Sequence, residues 1–174
     1  MTLVKDHFVA HCQDPSVPPV QDLEGKVLWG VAAGRGTGSL VTLHFGARLQ
    51  RRSSLHNPNI SDSLRTHEGE FVLFVKCGWD IEQAGIRIAD DASSNRSNGK
   101  MLKALHLLLR RTVKKVTFAK NDVSVDFSGN LGIHLHPKVR HDGFGNYSFS
   151  TAAQRYVVGD DLRIDIRNRR SQKD

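Results

Sequence analysis

The chain has 174 residues, 39% of them hydrophobic and 25% charged, with a formal net charge of +7. That is the length of one domain able to bury a core without staples, and no apolar run approaches the roughly 18 residues that span a bilayer. The two cysteines, Cys12 and Cys77, lack the CxxC spacing of a zinc knuckle or a redox pair and read as free thiols.

Residues 1–24 read as an N-terminal arm. The start is too polar for a signal-peptide core, so a cytoplasmic location is expected. The "DPSVPP" stretch disrupts any helix after Cys12, because proline lacks an N–H and restricts the residue before it. From Gly25 the pattern turns strand-like. "KVLWGVAAG" and "GSLVTLHFG" flank the glycine-rich "GRGT". In the second run Leu40, Thr42 and His44 share one face, and Val41, Leu43 and Phe45 share the other.

The glycines Gly30, Gly34, Gly36 and Gly38 invite a phosphate-loop reading, which fails on context. A dinucleotide loop needs GxGxxG leading into a helix, and here the glycines lead into strand. A Walker loop needs GxxxxGK[ST], and the lysine is missing. A β-hairpin is expected instead, its glycines supplying positive φ at no steric cost.

"RRSSLHNPNISDSLRTHEG" is a polar loop, "EFVLFVKCGW" a central strand, and "DIEQAGIRIAD" the next strand, turning near "QAG". The stretch "DASSNRSNGK" then leads into the one clear helical pattern, from about Lys100 to Val113, with Ser97 or Asn98 as its cap. At about 100° per residue, Met101, Leu102, Leu105, Leu108, Leu109 and Val113 form an apolar stripe. Lys100, Lys103, Arg110, Arg111 and Lys114 take the opposite face. Leu107 falls among these cations, as an ordinary exposed leucine or as an anchor for a partner. Between Ser93 and Asn121 there are eight cations, Arg96, Lys115 and Lys120 completing the set, and no Asp or Glu. The net charge is therefore one basic patch on a balanced protein. It suits an anionic partner, nucleic acid or an acidic protein surface, or serves as a solvated face.

Beyond the helix, "KVTFA", "DVSVDF", "LGIHLHP" and "RYVVGDDLRIDIR" read as short strands, with "SGN" marking a hairpin. The domain runs over 25–168, followed by a basic tail over 169–174. The expected fold is α+β: a mostly antiparallel β-sheet, as a partly open barrel or sandwich, with one main amphipathic helix packed on it.

"GRGTGSLVTLHFG" followed by "GEFVLFVKCGWDIE" resembles small, uncharacterised bacterial β-proteins with the pattern G-x-G-S-F-L-T-x-x-F-G, then G-E-W-x-L-W-I-x-x-C-x-W-x-I. The matching positions are Gly36 or Gly38, Ser39, Thr42, Phe45, Gly46, Gly69, Glu70, Leu73, Cys77, Trp79 and Ile81. The departures are the extra "GT" before Ser39, Leu40 for Phe, and Phe71 and Phe74 for the tryptophans. The resemblance covers most of the span from Gly25 to Ile166 and implies an immunity-like or accessory role. Immunity proteins are often acidic, however, whereas this chain is basic. The matched glycines and apolar residues speak for fold rather than chemistry.

Two constellations bear on chemistry. In "HLHPKVRHDG", His134 and His136 alternate on one strand face, and His141 with Asp142 is placed to return to them. Such imidazoles can ligate zinc or serve acid–base chemistry on a phosphodiester held by Lys138 or Arg140. The bland reading is a polar outer face, with Ile133 and Leu135 in the core. For single-strand binding, Phe144 and Tyr147 in "DGFGNYSF" are the stacking candidates, with Arg96 and Lys115 on the phosphates. There is no GxSxG. The carboxylates Glu68, Glu70, Asp160 and Asp161 lie at strand ends or turns, with Asp126 on a strand beside Ser124, and no enzyme class is specified. The leading expectation is a non-catalytic module that docks an acidic protein partner through Lys100, Lys103, Leu107, Arg110, Arg111 and Lys114. The alternative is a nucleic-acid-binding protein or nuclease that uses the basic patch and the histidines.

Overall fold

The computed structural model describes residues 18–34 and 36–169. It contains two open antiparallel sheets. The first takes β1 (Leu28–Ala32), β2 (Val41–Gln50) and β3 (His67–Val75), then β9 (Tyr147–Ser150), β10 (Gln154–Val158) and β11 (Ile164–Asn168), in that spatial order. The second takes β5 (Ile86–Asp90), β4 (Gly78–Gln83), β8 (Leu131–His136), β7 (Asp122–Phe127) and β6 (Val113–Ala119), again in spatial order. Two short helices, α1 (Asp62–Thr66) and α2 (Lys100–Leu108), complete the elements with a 3-10 turn over Val20–Leu23. The barrel alternative is thereby set aside, since neither sheet closes.

Period-2 alternation builds the core. Val41, Leu43 and Phe45 of β2, and Leu73 and Val75 of β3, face Val123, Val125 and Phe127 of β7 and Ile133 and Leu135 of β8, all in one buried cluster. Phe45 and Phe127 stack across the sheets at 6.3 Å. Burying these side chains supplies the main stabilisation, about 1.5–3 kcal/mol for each large apolar group. The chain changes sheets twice at one corner, where fully buried Asn146 ties the crossings together. Its carbonyl accepts from the N–H groups of Lys76 and Cys77. Its side chain donates to the carbonyls of Lys138 and Gly159 and accepts from the Lys138 N–H.

The glycine stretch is the β1–β2 hairpin loop. Gly34, Gly36 and Gly38 all have positive φ, and the Asn95 amide donates to the carbonyls of Gly34 and Gly38. Arg35 lies outside the described residues.

Three expectations are corrected. The helix ends at Leu108, not Val113. Leu109 is extended and Arg110 has φ 64°, because residues 110–113 pair with the backbone of 26–28: Arg110 N–H donates to Leu28, Leu28 N–H to Arg111, and Val113 N–H to Lys26. Val113 is a buried strand residue, and nine residues make a small helix rather than a dominant one. Its cap position is Gly99, with no side-chain hydrogen bond; Asn98 instead takes a positive φ in the preceding turn. Finally, the segment assigned to an arm is part of the domain from its end inward: Val20 and Leu23 are fully buried, and Glu24 accepts from the Val116 N–H. The rest of the arm, 1–17, and the tail over 170–174 lie outside the described residues.

Candidate functional site

Three surfaces carry the residues singled out above. The first is the basic one. Lys100, Lys103 and Leu107 follow one another at helical i, i+3 and i+4 spacing on the exposed side of α2, opposite buried Met101, Ala104, Leu105 and Leu108. Leu107 is 43% exposed. Arg110 and Arg111 continue this surface through the turn, where the Arg111 guanidinium folds back to donate to the Leu107 carbonyl. Lys114 and Lys115 are exposed on β6. The sequence placed Arg110, Arg111 and Lys114 on one helix face; instead Arg110 and Arg111 lie in and just after the turn beyond α2, and Lys114 lies on edge strand β6.

The pairing of these cations is distinctive. Among the described residues, Arg96, Lys100, Lys103, Arg110, Arg111, Lys114, Lys115 and Lys120 form no ion pair, whereas most arginines elsewhere do. The stretch without Asp or Glu accounts for this. No carboxylate is local, and although the β6–β7 register sets Asp126 opposite Lys115 and Glu24 reaches the Val116 N–H, neither forms an ion pair with these cations.

The second surface is the outer face of the first sheet, which is covered. Residues 51–66 fold over it, and Leu64 of α1 packs against Gly30, where an added Cβ would lie 2.7 Å from the Leu64 side chain and 3.3 Å from His44. His44 is buried beneath, beside the Trp29 ring at 5.5 Å. Its Nδ1 accepts the Gly69 N–H at 3.1 Å. Burial first, then the nearby charges of Arg51 and Arg169, lower its pKa to about 4. Glu68 joins Arg51 at 3.1 Å and Arg169 at 2.6 Å. This histidine is neutral and structural.

The third surface is the outer face of the second sheet. Cross-strand register sets Asp80 of β4 beside His134 of β8, which lies beside Ser124 of β7. One row along, Glu82, Gly132 and Asp126 are aligned in the same way. His134 Nδ1 lies 3.0 Å from the Ser124 hydroxyl, and His134 Nε2 lies 3.6 Å from a Glu82 oxygen. His136 Nε2 lies 2.5 Å from Asp80 Oδ2, with Arg87 at 3.6 Å from the same oxygen. The Asp80 side chain is only 5% exposed. Its other oxygen, Oδ1, is buried without a hydrogen-bond partner among the described residues, a condition shared only by Trp29 Nε1.

His134 and His136 thus share a face, but His141 does not join His134. It is exposed on the corner loop. That loop is held elsewhere: Asp160 accepts from the N–H groups of Gly143 and Gly145, and Asp142 pairs with Arg140. Arg140 also donates to the Lys76 carbonyl, so the phosphate-holding role expected for it meets a committed guanidinium. Lys138 is exposed and unpaired. Tyr147, expected to stack on bases, is fully buried in β9 between β3 and β10, and desolvation raises its pKa. Phe144 is 63% exposed, the one aromatic among the exposed large hydrophobic side chains of the described residues. Cys77 is buried, and desolvation pushes its thiol up to about 11, the opposite of an activated nucleophile.

The sequence reading missed Asp80 and Glu82. Their signal was the same alternation that singled out the histidines, in "WDIEQ", but the pairing of β4 with β8 is not visible in either segment. No protein-family model, no curated protein and no solved structure matches this chain. No described helix is long and apolar enough to cross a membrane.

Proposed function

We propose that the protein is a non-catalytic binding module that docks an acidic protein surface through α2, the turn after it and β6. The observation that carries this reading is the run of exposed cations without ion pairs on α2, the turn after it and β6, with exposed Leu107 among them in the chain. Cations with no internal partner retain their full electrostatic potential for an anionic surface, which steers association. A leucine among them supplies the apolar anchor that fixes a protein partner once encountered. Tyr147 is unavailable for stacking and Phe144 is the one exposed aromatic among the described residues, which weighs against single-stranded nucleic acid.

Two measurements test the proposal. The first is fluorescence anisotropy with mixed-sequence single- and double-stranded oligonucleotides, carried to about 150 mM salt. The expected result is binding at low salt that is lost at physiological salt. Tight binding that survives, unchanged in Leu107→Asp, overturns the proposal in favour of nucleic acid. The second uses the wild-type protein to recover an acidic partner, whose kinetics are then measured. Leu107→Asp is expected to weaken the complex by about tenfold or more, through faster dissociation. Lys103→Ala and Arg110→Ala are expected mainly to slow association. A recovered partner indifferent to all three variants overturns the docking face.

A further inference from the structure

We infer that the outer face of the second sheet holds a divalent transition-metal ion, of the zinc class, on Asp80, Glu82 and His134. One Asp80 oxygen, one Glu82 oxygen and one His134 ring nitrogen lie within 4.8 Å of one another. Donor atoms around a zinc ion sit about 2.0–2.2 Å from the metal, so the three need to draw together. Glu82 can supply that movement, since its side chain is 37% exposed.

Four observations converge. First, the Asp80 carboxylate is nine-tenths buried, and one of its oxygens has no partner among the described residues. A buried carboxylate oxygen is costly unless paired or coordinated. Second, Asp80 stands directly opposite Asp90 on β5, a like-charge cross-strand pair that Arg87, 60% exposed and 3.6 Å from Asp80 Oδ2, offsets only weakly. Third, the imidazole is already oriented. The Ser124 hydroxyl meets His134 Nδ1, so with the proton on Nδ1 the hydroxyl accepts it and Nε2 is left to coordinate, the outer-shell arrangement that fixes metal-binding histidines. Fourth, Gly132 leaves room. An added Cβ there would lie 3.3 Å from both His134 Nε2 and Asp126 Oδ1. A side chain at that position would fill the slot between Glu82 and Asp126.

The donor set chooses the metal. One imidazole with two carboxylates suits zinc and its neighbours, whereas magnesium and calcium take oxygen ligands and more of them. Three protein donors leave a coordination position open to water. His136 is excluded as a ligand in this arrangement, because its Nε2 faces Asp80 Oδ2; it holds the Asp80 carboxylate in place. The site also departs from a set of three histidines, since His141 lies outside it.

The test is zinc uptake by the full chain in equilibrium dialysis, read together with the thermal midpoint with and without zinc. One zinc per chain is expected, with a raised midpoint and little response to magnesium. Glu82→Gln keeps the size of a side chain that is 37% exposed, and His134→Ala removes the nitrogen donor. Each is expected to weaken zinc by about tenfold or more, with the metal-free midpoint of Glu82→Gln unchanged. His141→Ala is expected to bind as the wild type does. Absence of stoichiometric uptake overturns the inference. So does uptake that persists in Glu82→Gln with His134→Ala, or uptake abolished by His141→Ala.

Discussion

The two sheets turn their inner faces to a shared core, and their outer faces differ. Each outer face carries an inner-strand histidine paired to a neighbour, His44 on β2 and His134 on β8. Over His44 the chain lays α1 and the preceding loop, and the ring sinks to 3% exposure. The His134 ring, by contrast, stays 26% exposed. The partners differ too. Gly69 offers a backbone N–H, which can only donate, so Nδ1 of His44 must be the bare nitrogen and the ring is locked neutral. Ser124 offers a hydroxyl, which can also accept, so Nδ1 of His134 is able to carry the proton and present Nε2 outward. A cover and a donor-only partner make a structural histidine; an open face and an amphoteric partner leave one available for chemistry.

Removing the cover is the strongest way to break this contrast. Leu64 is 4% exposed and packs over Gly30 and His44. Leu64→Ala is expected to cost about 3–4 kcal/mol in urea unfolding at neutral pH. It also lets water reach His44, so the His44 pKa, read by NMR, should climb from about 4 toward the ordinary 6.5. A His44 that still resists protonation in this variant would show that the loop is not what desolvates it.

Acid probes the same histidine with the cover in place. The folded chain refuses a proton at His44 until about pH 4, whereas an unfolded histidine accepts one near 6.5. Stability is therefore lost as the pH falls from about 6.5 to 4, and the loss levels off below. At about 1.4 kcal/mol per pH unit the contribution is on the order of 3 kcal/mol. His44→Asn keeps an acceptor near Nδ1 and cannot titrate. The difference between the wild-type and His44→Asn stability curves should carry this slope; parallel curves would remove His44 as its source.

The open face responds in the opposite sense. Asp80→Asn removes a buried charge whose ion partners, His136 and Arg87, are more than half exposed and therefore weak. In metal-free protein the variant is expected to gain about 1 kcal/mol. A loss of stability instead would show that the pair with His136 outweighs the burial.

How far the sequence anticipates these faces depends on whether the deciding interaction is local. The alternation in "LGIHLHP" sends Ile133 and Leu135 inward and His134 and His136 outward, as the structure has them. Alternation also aligns Val41, Leu43 and Phe45. Non-local contacts decide the rest. Val113 fits a helical stripe and a strand equally well, and the backbone of residues 26–28 settles it. "DGFGNYSF" has the composition of a loop, yet Tyr147 enters the sheet because β3 and β10 are there to receive it. His141 is close to His134 in sequence, but Asp160 and Asn146 hold its loop at the corner. Asp80 and Glu82 are about 50 residues from His134 in the chain and become its neighbours only through the β4–β8 register.

The smallest expected effect sharpens the contrast most. Ser124→Ala removes a half-buried hydroxyl beside His134 and should cost about 0.5 kcal/mol or less in metal-free protein. Its effect on zinc should be larger, about tenfold in affinity, because the ring loses the acceptor that holds its proton on Nδ1. The ring nitrogens report this directly by ¹⁵N NMR. Zinc added to wild-type protein should move the His134 resonances to those of a ring protonated at Nδ1 and leave His44 where it was. In Ser124→Ala the same addition should move His134 only at higher zinc. If His44 moves with His134, or if Ser124→Ala binds zinc as the wild type does, then the hydroxyl does not set the tautomer and the difference between the two faces reduces to their cover.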